Sequence, residues 1–329
     1  QPTGFDGVIR PLLVSPCTSD VHNVEIDCLK PGRILGHEGL GEIVAVGEGV
    51  KEFQVGELVV VPPVTPDWRT VPSQLGAHQH CAGLITGQKL SNSEDGLLAE
   101  YALIRDLDAN AARIPPGVSP EGAVMAADML NTGLYGAELA EVRPGDTVVV
   151  MGVGPVGLMA IAGARLRGAG RIIAIGSRKA GVELARFYGA TDLVNYKEGN
   201  VERQIYELTH KQGADCCICA GGGTEALGQA VAMVRWGGTV GNVNYFTTYG
   251  DLPLNNVRYG FGMGNKTIRG GECPGGRARM EKLLALLQYG RVDPVPLITH
   301  RFQGLDQVET AFHLMAEKPP ALVKTLVAL

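Results

Sequence analysis

The chain has 329 residues, long enough for two domains, and its 45% hydrophobic and 19% charged residues with 46 glycines are the make-up of a soluble α/β protein rich in tight turns. A formal net charge of -5 leaves no basic footprint for nucleic acid. No apolar run approaches the ~20 residues of a membrane span and no charged-then-apolar signal segment is read, so a cytosolic location without a membrane partner is expected.

Residues 1–131 carry short β-type runs, GVIRPLLVSP, GEIVAVGEG and GELVVVPPV, closely punctuated by Gly, Pro and Asp. That pattern predicts a small strand-rich or barrel-like domain. From Asp146 the rhythm changes to strands alternating with helices, beginning DTVVVMGVGPVGLMAIAGARLRGAGRIIAIGSR. This alternation implies right-handed βαβ crossovers and a doubly wound parallel sheet over residues 132–272. Residues 273–329, with a helix in GGRARMEKLLALLQYG and a last β run in ALVKTLVAL, return to the first domain, which is therefore discontinuous.

Seven cysteines, at 17, 28, 81, 216, 217, 219 and 273, show neither the even count nor the spacing of a disulfide framework. The three in ADCCICA lie in a short apolar run and read as part of a buried parallel strand. Cys17 in PCTSDVH, His37 in GHEGLGEIV and Asp128 in AADMLNTG are a thiolate, an imidazole and a carboxylate. Together they form a set suited to a catalytic zinc with an open fourth position. Glu38, beside His37, is a transient fourth ligand or an acceptor behind the ligands. Ser19 and His22 offer a hydroxyl and an imidazole to carry a proton away. His78, His80 and Cys81 also have metal-like spacing, but no matching fourth ligand lies near, and a surface or subunit-contact loop is expected there.

Gly152, Gly154 and Gly157, with Pro155 and Val156 between the last two, form G-x-G-x-x-G between the strand TVVVM and a helical segment. In that context the motif predicts a dinucleotide site. An NAD-binding chain places an acidic residue roughly 20 residues further on. Here the strand RIIAI runs instead into Gly176, Ser177 and Arg178, which suit a 2′-phosphate, so NADP(H) is the expected cofactor. A metal beside a nicotinamide points to hydride transfer.

The segments PCTSDVH, LGHEGLGEIVAVGEGVKEFQVGELVVVP, TPDWRT, MGVGPVGLMAIAGARLRGAGRIIAIGSR and GGECPGGRARME resemble the zinc-dependent medium-chain dehydrogenase family, most closely its NADP-dependent secondary alcohol dehydrogenase branch. The resemblance runs from about Phe5 to the C-terminus. It implies a GroES-like catalytic domain beside a Rossmann domain, a homotetramer, and an alcohol or ketone substrate. It implies zinc on Cys17, His37 and Asp128 with Glu38 able to approach, a proton relay through Ser19 and His22, and a 2′-phosphate site at Gly176, Ser177, Arg178 and Tyr196. Val243, Asn244 and Tyr245 match a segment lying against the cofactor. Many relatives carry a second zinc on four closely spaced cysteines, whereas only Cys81 falls between Asp67 and Asp95, so one catalytic zinc and no structural zinc are implied.

The resemblance also implies roughly 20 further N-terminal residues supplying edge strands. It would put a large aromatic at Gln88 and an apolar residue at Glu272, so a wider and more polar substrate pocket is expected. Two other readings use the same fold: a zinc-free NADPH-dependent reductase of enones or quinones, and a non-catalytic nucleotide-binding protein.

Overall fold

A computed structural model describes residues 1–246, 250–254, 256 and 260–329. The described strands are β1 (Gly7–Val14), β2 (Gly39–Val46), β3 (Leu58–Val61), β4 (Ala102–Ile104), β5 (Ala112–Arg113), β6 (Thr147–Met151), β7 (Arg171–Ile175), β8 (Asp192–Val194), β9 (Ala214–Cys219), β10 (Val234–Asn242), β11 (Thr267–Gly270), β12 (Ile298–Gln303) and β13 (Lys324–Ala328). The chain divides into two compact units, Gln1–Asn131 with Cys273–Leu329, and Thr132–Glu272. None of the described helices is long and apolar enough to cross a membrane.

The first unit is built on a seven-stranded sheet in the order β12-β13-β1-β2-β3-β5, with β4 also pairing β1. β1 and β2 run antiparallel over most of their length, in register from Gly7 opposite Val46 to Val14 opposite Gly39, with two irregularities that bend the pair. Apolar side chains of these strands meet in one core: Ile9, Val14, Ile43, Val59, Val61 and Ile104 are essentially inaccessible. The last segment of the chain inserts β13 beside β1, with Val14 opposite Val327, and this insertion makes the unit discontinuous in sequence.

The second unit carries a six-stranded sheet in the order β11-β10-β9-β6-β7-β8, parallel throughout. Four residues of β6 and four of β7 are buried, because helices cover both faces of such a sheet. The helix Pro155–Leu166 is apolar on nearly every side, with eight buried residues, as a helix held inside a unit has to be. Growth of the sheet reverses between β6 and β9, and at such a switch point a crevice opens beyond the carboxyl ends of the strands.

The cysteine cluster is part of that core. Cys216 and Cys217 of β9 sit opposite Val148 and Val149 of β6, and Cys219 opposite Met151. Burial pushes the thiols of Cys216 and Cys219 up to about 12 and that of Cys217 well above its ordinary value. Such thiols hold almost no thiolate near neutral pH and are poor nucleophiles. The exposed Cys28 should therefore react first with a thiol reagent, and the three β9 thiols only after denaturant is added. Prompt labelling of the β9 thiols in the native protein would contradict this. Burial also predicts that Ile43→Ala, at a site with no exposure, costs about 2–5 kcal/mol of stability in a denaturant titration. Leu58→Ala, on the neighbouring strand with 45% exposure, should change it by about 0.5 kcal/mol or less.

Candidate metal centre and nucleotide site

Three segments of the first unit deliver the four metal-type donors. Cys17 precedes the helix Thr18–Glu25, His37 and Glu38 lead directly into β2, and Asp128 lies in a single π-helical turn, Ala126–Leu130. Such turns re-aim a side chain by one position and recur at functional sites. One donor atom from each of Cys17, His37, Glu38 and Asp128 lies within 4.8 Å of the others, and this is the cluster of its kind found among the described residues. The Sγ of Cys17 is 3.7 Å from Oδ2 of Asp128, and Nε2 of His37 is 3.6 Å from the same oxygen. Tetrahedral ligands about 2.0–2.3 Å from one ion lie roughly 3.3–3.8 Å apart, so the spacing fits a zinc ion.

The surroundings fit it as well. Nδ1 of His37 faces Oδ1 of the wholly buried Asp20 at 3.1 Å, which fixes the ring and leaves Nε2 for the cluster. Burial alone would lower the His37 pKa, but Asp20, with Asp128 and Cys17, raises it well above the ordinary value. An environment this favourable to an extra proton is favourable to a metal cation. Oε2 of Glu38 is buried without a hydrogen-bond partner, a demand that a cation would meet. Nζ of Lys324, on β13, donates to Oε1 of the same carboxylate, and both side chains are buried. Burial opposes the charge on Lys324, yet Cys17, Glu38 and Asp128 together hold its pKa above the usual lysine value.

Ser19 Oγ lies 3.2 Å from Cys17 Sγ and 3.5 Å from His37 Nε2, so it borders the cluster directly. His22 sits one turn further along the same helix. Burial and the nearby Lys318 lower its pKa, with Glu25 acting the other way, which favours a neutral ring able to accept a proton.

Asp20 and Lys324 are the two residues of this site that sequence inspection does not single out. Each carried a signal. Asp20 lies three residues after Cys17, and a ligating histidine ordinarily needs a carboxylate or carbonyl on its second nitrogen. Lys324 is a cation in the otherwise apolar run ALVKTLVAL, and a buried lysine has to be paired. Neither signal names the partner, which lies 17 residues away for Asp20 and 286 for Lys324.

The second metal-like spacing does not converge. Nε2 of His78 accepts from Gly275 N at 3.1 Å and the ring stacks on Trp68 at 4.7 Å, whereas Nδ1 of His80 accepts from Ile85 N. The Cys81 thiol is directed to the carbonyl of Thr86. His78 is thus a packing residue, more enclosed than a surface loop. Gln88 is half-buried and bridged to Val64 in the first unit, while Glu272 is the last residue of the second.

In the second unit the remaining candidates gather at the carboxyl ends of the parallel strands. Gly152 follows β6 with φ +99°, a conformation that favours glycine. A Cβ on Gly157 would lie 2.1 Å from the Gly152 carbonyl oxygen, so the third glycine permits the close turn. A Cβ on Gly154 would meet only Nη2 of Arg178, at 3.4 Å, which leaves the backbone open to a diphosphate; Pro155 and Val156 begin the helix whose N-terminus would face it. Gly176, Ser177 and Arg178 end β7, and Tyr196 follows β8. Burial lowers the Arg178 pKa while Tyr196 opposes the shift, so the two side chains are neighbours. Gly176 is also a steric requirement, since its Cβ would fall 2.2 Å from Val153 Cγ2. Val243, Asn244 and Tyr245 leave β10 on this edge: Val243 N donates to Cys219 O, Asn244 Nδ2 to Gly222 O at 3.1 Å, and Tyr245 is exposed.

Known proteins match both units. Residues 6–116 match the alcohol dehydrogenase GroES-like domain and residues 155–289 the zinc-binding dehydrogenase domain. The chain is 52% identical to an NADP-dependent isopropanol dehydrogenase of Thermoanaerobacter brockii, covering 100% of this chain and 94% of that one. It is 50% identical to a protein of the same name from Clostridium beijerinckii, over 99% and 93% of the two chains. Among solved structures, the alcohol dehydrogenase TADH from Thermus sp. ATN1 superposes with a TM-score of 0.87 at 31% identity, covering 100% of this chain and 93% of that one. With the GroES-like and Rossmann-type units and the Cys17, His37, Asp128 cluster on the same chain, the protein belongs to the zinc-dependent medium-chain alcohol dehydrogenases, in the branch of the NADP-dependent secondary alcohol dehydrogenases.

Proposed function

We propose that the chain is an NADP(H)-dependent zinc alcohol dehydrogenase that transfers a hydride between the cofactor and a secondary alcohol or its ketone. The observation that carries this reading is the convergence of Cys17, His37 and Asp128, with Glu38 beside them, in a chain half identical to NADP-dependent isopropanol dehydrogenases. Those relatives' names point to short secondary alcohols as the substrate class. The same convergence favours zinc chemistry over a zinc-free enone or quinone reductase. A homotetramer with one catalytic zinc per subunit and no structural zinc completes the reading, on the strength of the family resemblance.

Cys17, His37 and Asp128 hold the metal, which when bound supplies a Lewis acid to the alcohol or carbonyl oxygen. Asp20 fixes the His37 ring, and its carboxylate makes the ligating nitrogen more basic. Ser19, within 3.2 Å of the Cys17 sulfur, takes the hydroxyl proton as the alcohol is oxidised, and His22 passes it on. Gly152, Gly154 and Gly157 accommodate the diphosphate on the backbone. Ser177, Arg178 and Tyr196 hold the 2′-phosphate, and at Gly176 there is no carboxylate to repel it.

Metal analysis of purified protein tests the ligand set. Cys17→Ser and Asp128→Asn should each lower zinc content and turnover together. Asp20→Asn, which leaves the ligands in place, should cost roughly ten- to a hundredfold in zinc affinity or activity. Full zinc and full activity in the two ligand variants would remove those residues from the site, and zinc loss with retained ketone reduction would favour the zinc-free reading.

Cofactor choice is tested by Arg178→Ala. A hydrogen bond to a charged group is worth about 1.5–3 kcal/mol, so kcat/KM for NADPH should fall roughly ten- to a hundredfold. The value for NADH should change much less. Equal losses with both cofactors would mean that Arg178 supports the fold and not the phosphate.

A further inference from the structure

Neither metal ligation nor proton transfer accounts for the buried ion pair behind the cluster. Lys324 is 1% exposed and Glu38 has no exposed surface at all. The pairing is built into the sheet: Ser15 N donates to the Glu38 carbonyl at 3.0 Å, and Ser15 Oγ donates to the Thr325 carbonyl at 2.7 Å. Ser15 thus ties the segment bearing Glu38 to the strand bearing Lys324. One Glu38 oxygen receives the lysine, the other is buried and unbonded, and the carboxylate reaches within 4.8 Å of the three donors. Glu38 therefore stands between two cations that compete for it, the lysine and a metal ion.

We infer that Lys324 is a positioning residue that holds Glu38 back from the metal, so that the site keeps three protein ligands and a fourth position for substrate. The charge balance points the same way. The Cys17 thiolate and the carboxylates of Asp20, Glu38 and Asp128 outweigh a dication in a buried site, and Lys324 offsets part of that excess from the side of Glu38. This rests on the assignment of Cys17, His37 and Asp128 as ligands. It adds that a residue on the last strand decides whether Glu38 joins them.

The test uses the full chain loaded with zinc and a chromophoric chelator that reports zinc release, compared across the parent, Lys324→Arg, Lys324→Met and the double variant Lys324→Met, Glu38→Gln. In Lys324→Met, freed Glu38 closes the site, so zinc release should slow at least tenfold and kcat should fall at least tenfold. In the double variant release should return to within about threefold of the parent rate, and Lys324→Arg should stay there throughout. The cobalt-substituted proteins give a second readout, a visible spectrum that shifts in Lys324→Met and reverts in the double variant. The double variant removes both partners of the buried pair and leaves no unpaired charge, which protects the comparison from simple misfolding. Release slowed equally in the single and double variants would mean that the lysine acts only through space, and an unchanged rate in Lys324→Met would mean that it does not act on Glu38; either result overturns the inference. A parent protein without zinc would instead overturn the ligand assignment on which it depends.

Discussion

A carboxylate removed from water needs a cation within reach, and Glu38 obtains one from Lys324 at the far end of the chain. Desolvating two such charges costs several kcal/mol per ion, which only close pairing offsets. The final strand supplies that cation on its return to the first unit, together with the buried Leu326 and Val327. β13 lies between β12 and β1, and Ser15 bonds both the Glu38 and Thr325 backbones, so the sheet and the ion pair specify one another. The acidic character that makes the cluster attractive to a metal is tolerable in the folded chain because this counter-charge is already in place.

The second constraint on the cluster is directional. An imidazole can present either nitrogen, and the buried Asp20 removes the choice by engaging Nδ1. Asp128 is aimed by a π-helical turn, where an ordinary helix would rotate it by about 100° per added residue. Cys17 and Asp20 share the start of one short helix, so the ligand and the residue that orients its neighbour are set by a single local structure. The donors thus sit where the chain enters regular elements, Cys17 just before a helix and His37 and Glu38 just before β2, with Asp128 inside a helical turn, so that short connections are held by the elements they join.

In the nucleotide-binding unit the governing constraint is backbone approach. The glycines after β6 bring the turn against its own helix more closely than any side chain would permit, and the strand order places that turn at the switch point of the sheet. Gly176 adds a steric element to what looks like a choice of charge. Its missing Cβ is required by Val153, so an acidic residue at the end of β7 would need Val153 to move as well as a change of cofactor. Cofactor preference and packing of the first βα turn are coupled in this chain.

Periodicity and turn residues alone made the parallel sheet legible, because strands buried on both faces read as continuous apolar runs and the glycine motif marks the turn after the first of them. The strand-rich character of the first unit was legible for a similar reason, as were Cys17, His37 and Asp128 as a set of metal-type donors and the β9 cysteines as core. What residue types cannot encode is the partner of a buried charge. Asp20 and Lys324 were present as signals, yet their pairing with His37 and Glu38 depends on strand register and on the path of the chain between them. The same holds for His78, whose metal-like spacing dissolves once Trp68 and Gly275 are seen to occupy it. The sequence by itself determined which chemistry the chain could support, since donor types and local periodicities are properties of residues. Tertiary structure decided which groups meet, because desolvation and direction act only between atoms that the fold has brought together.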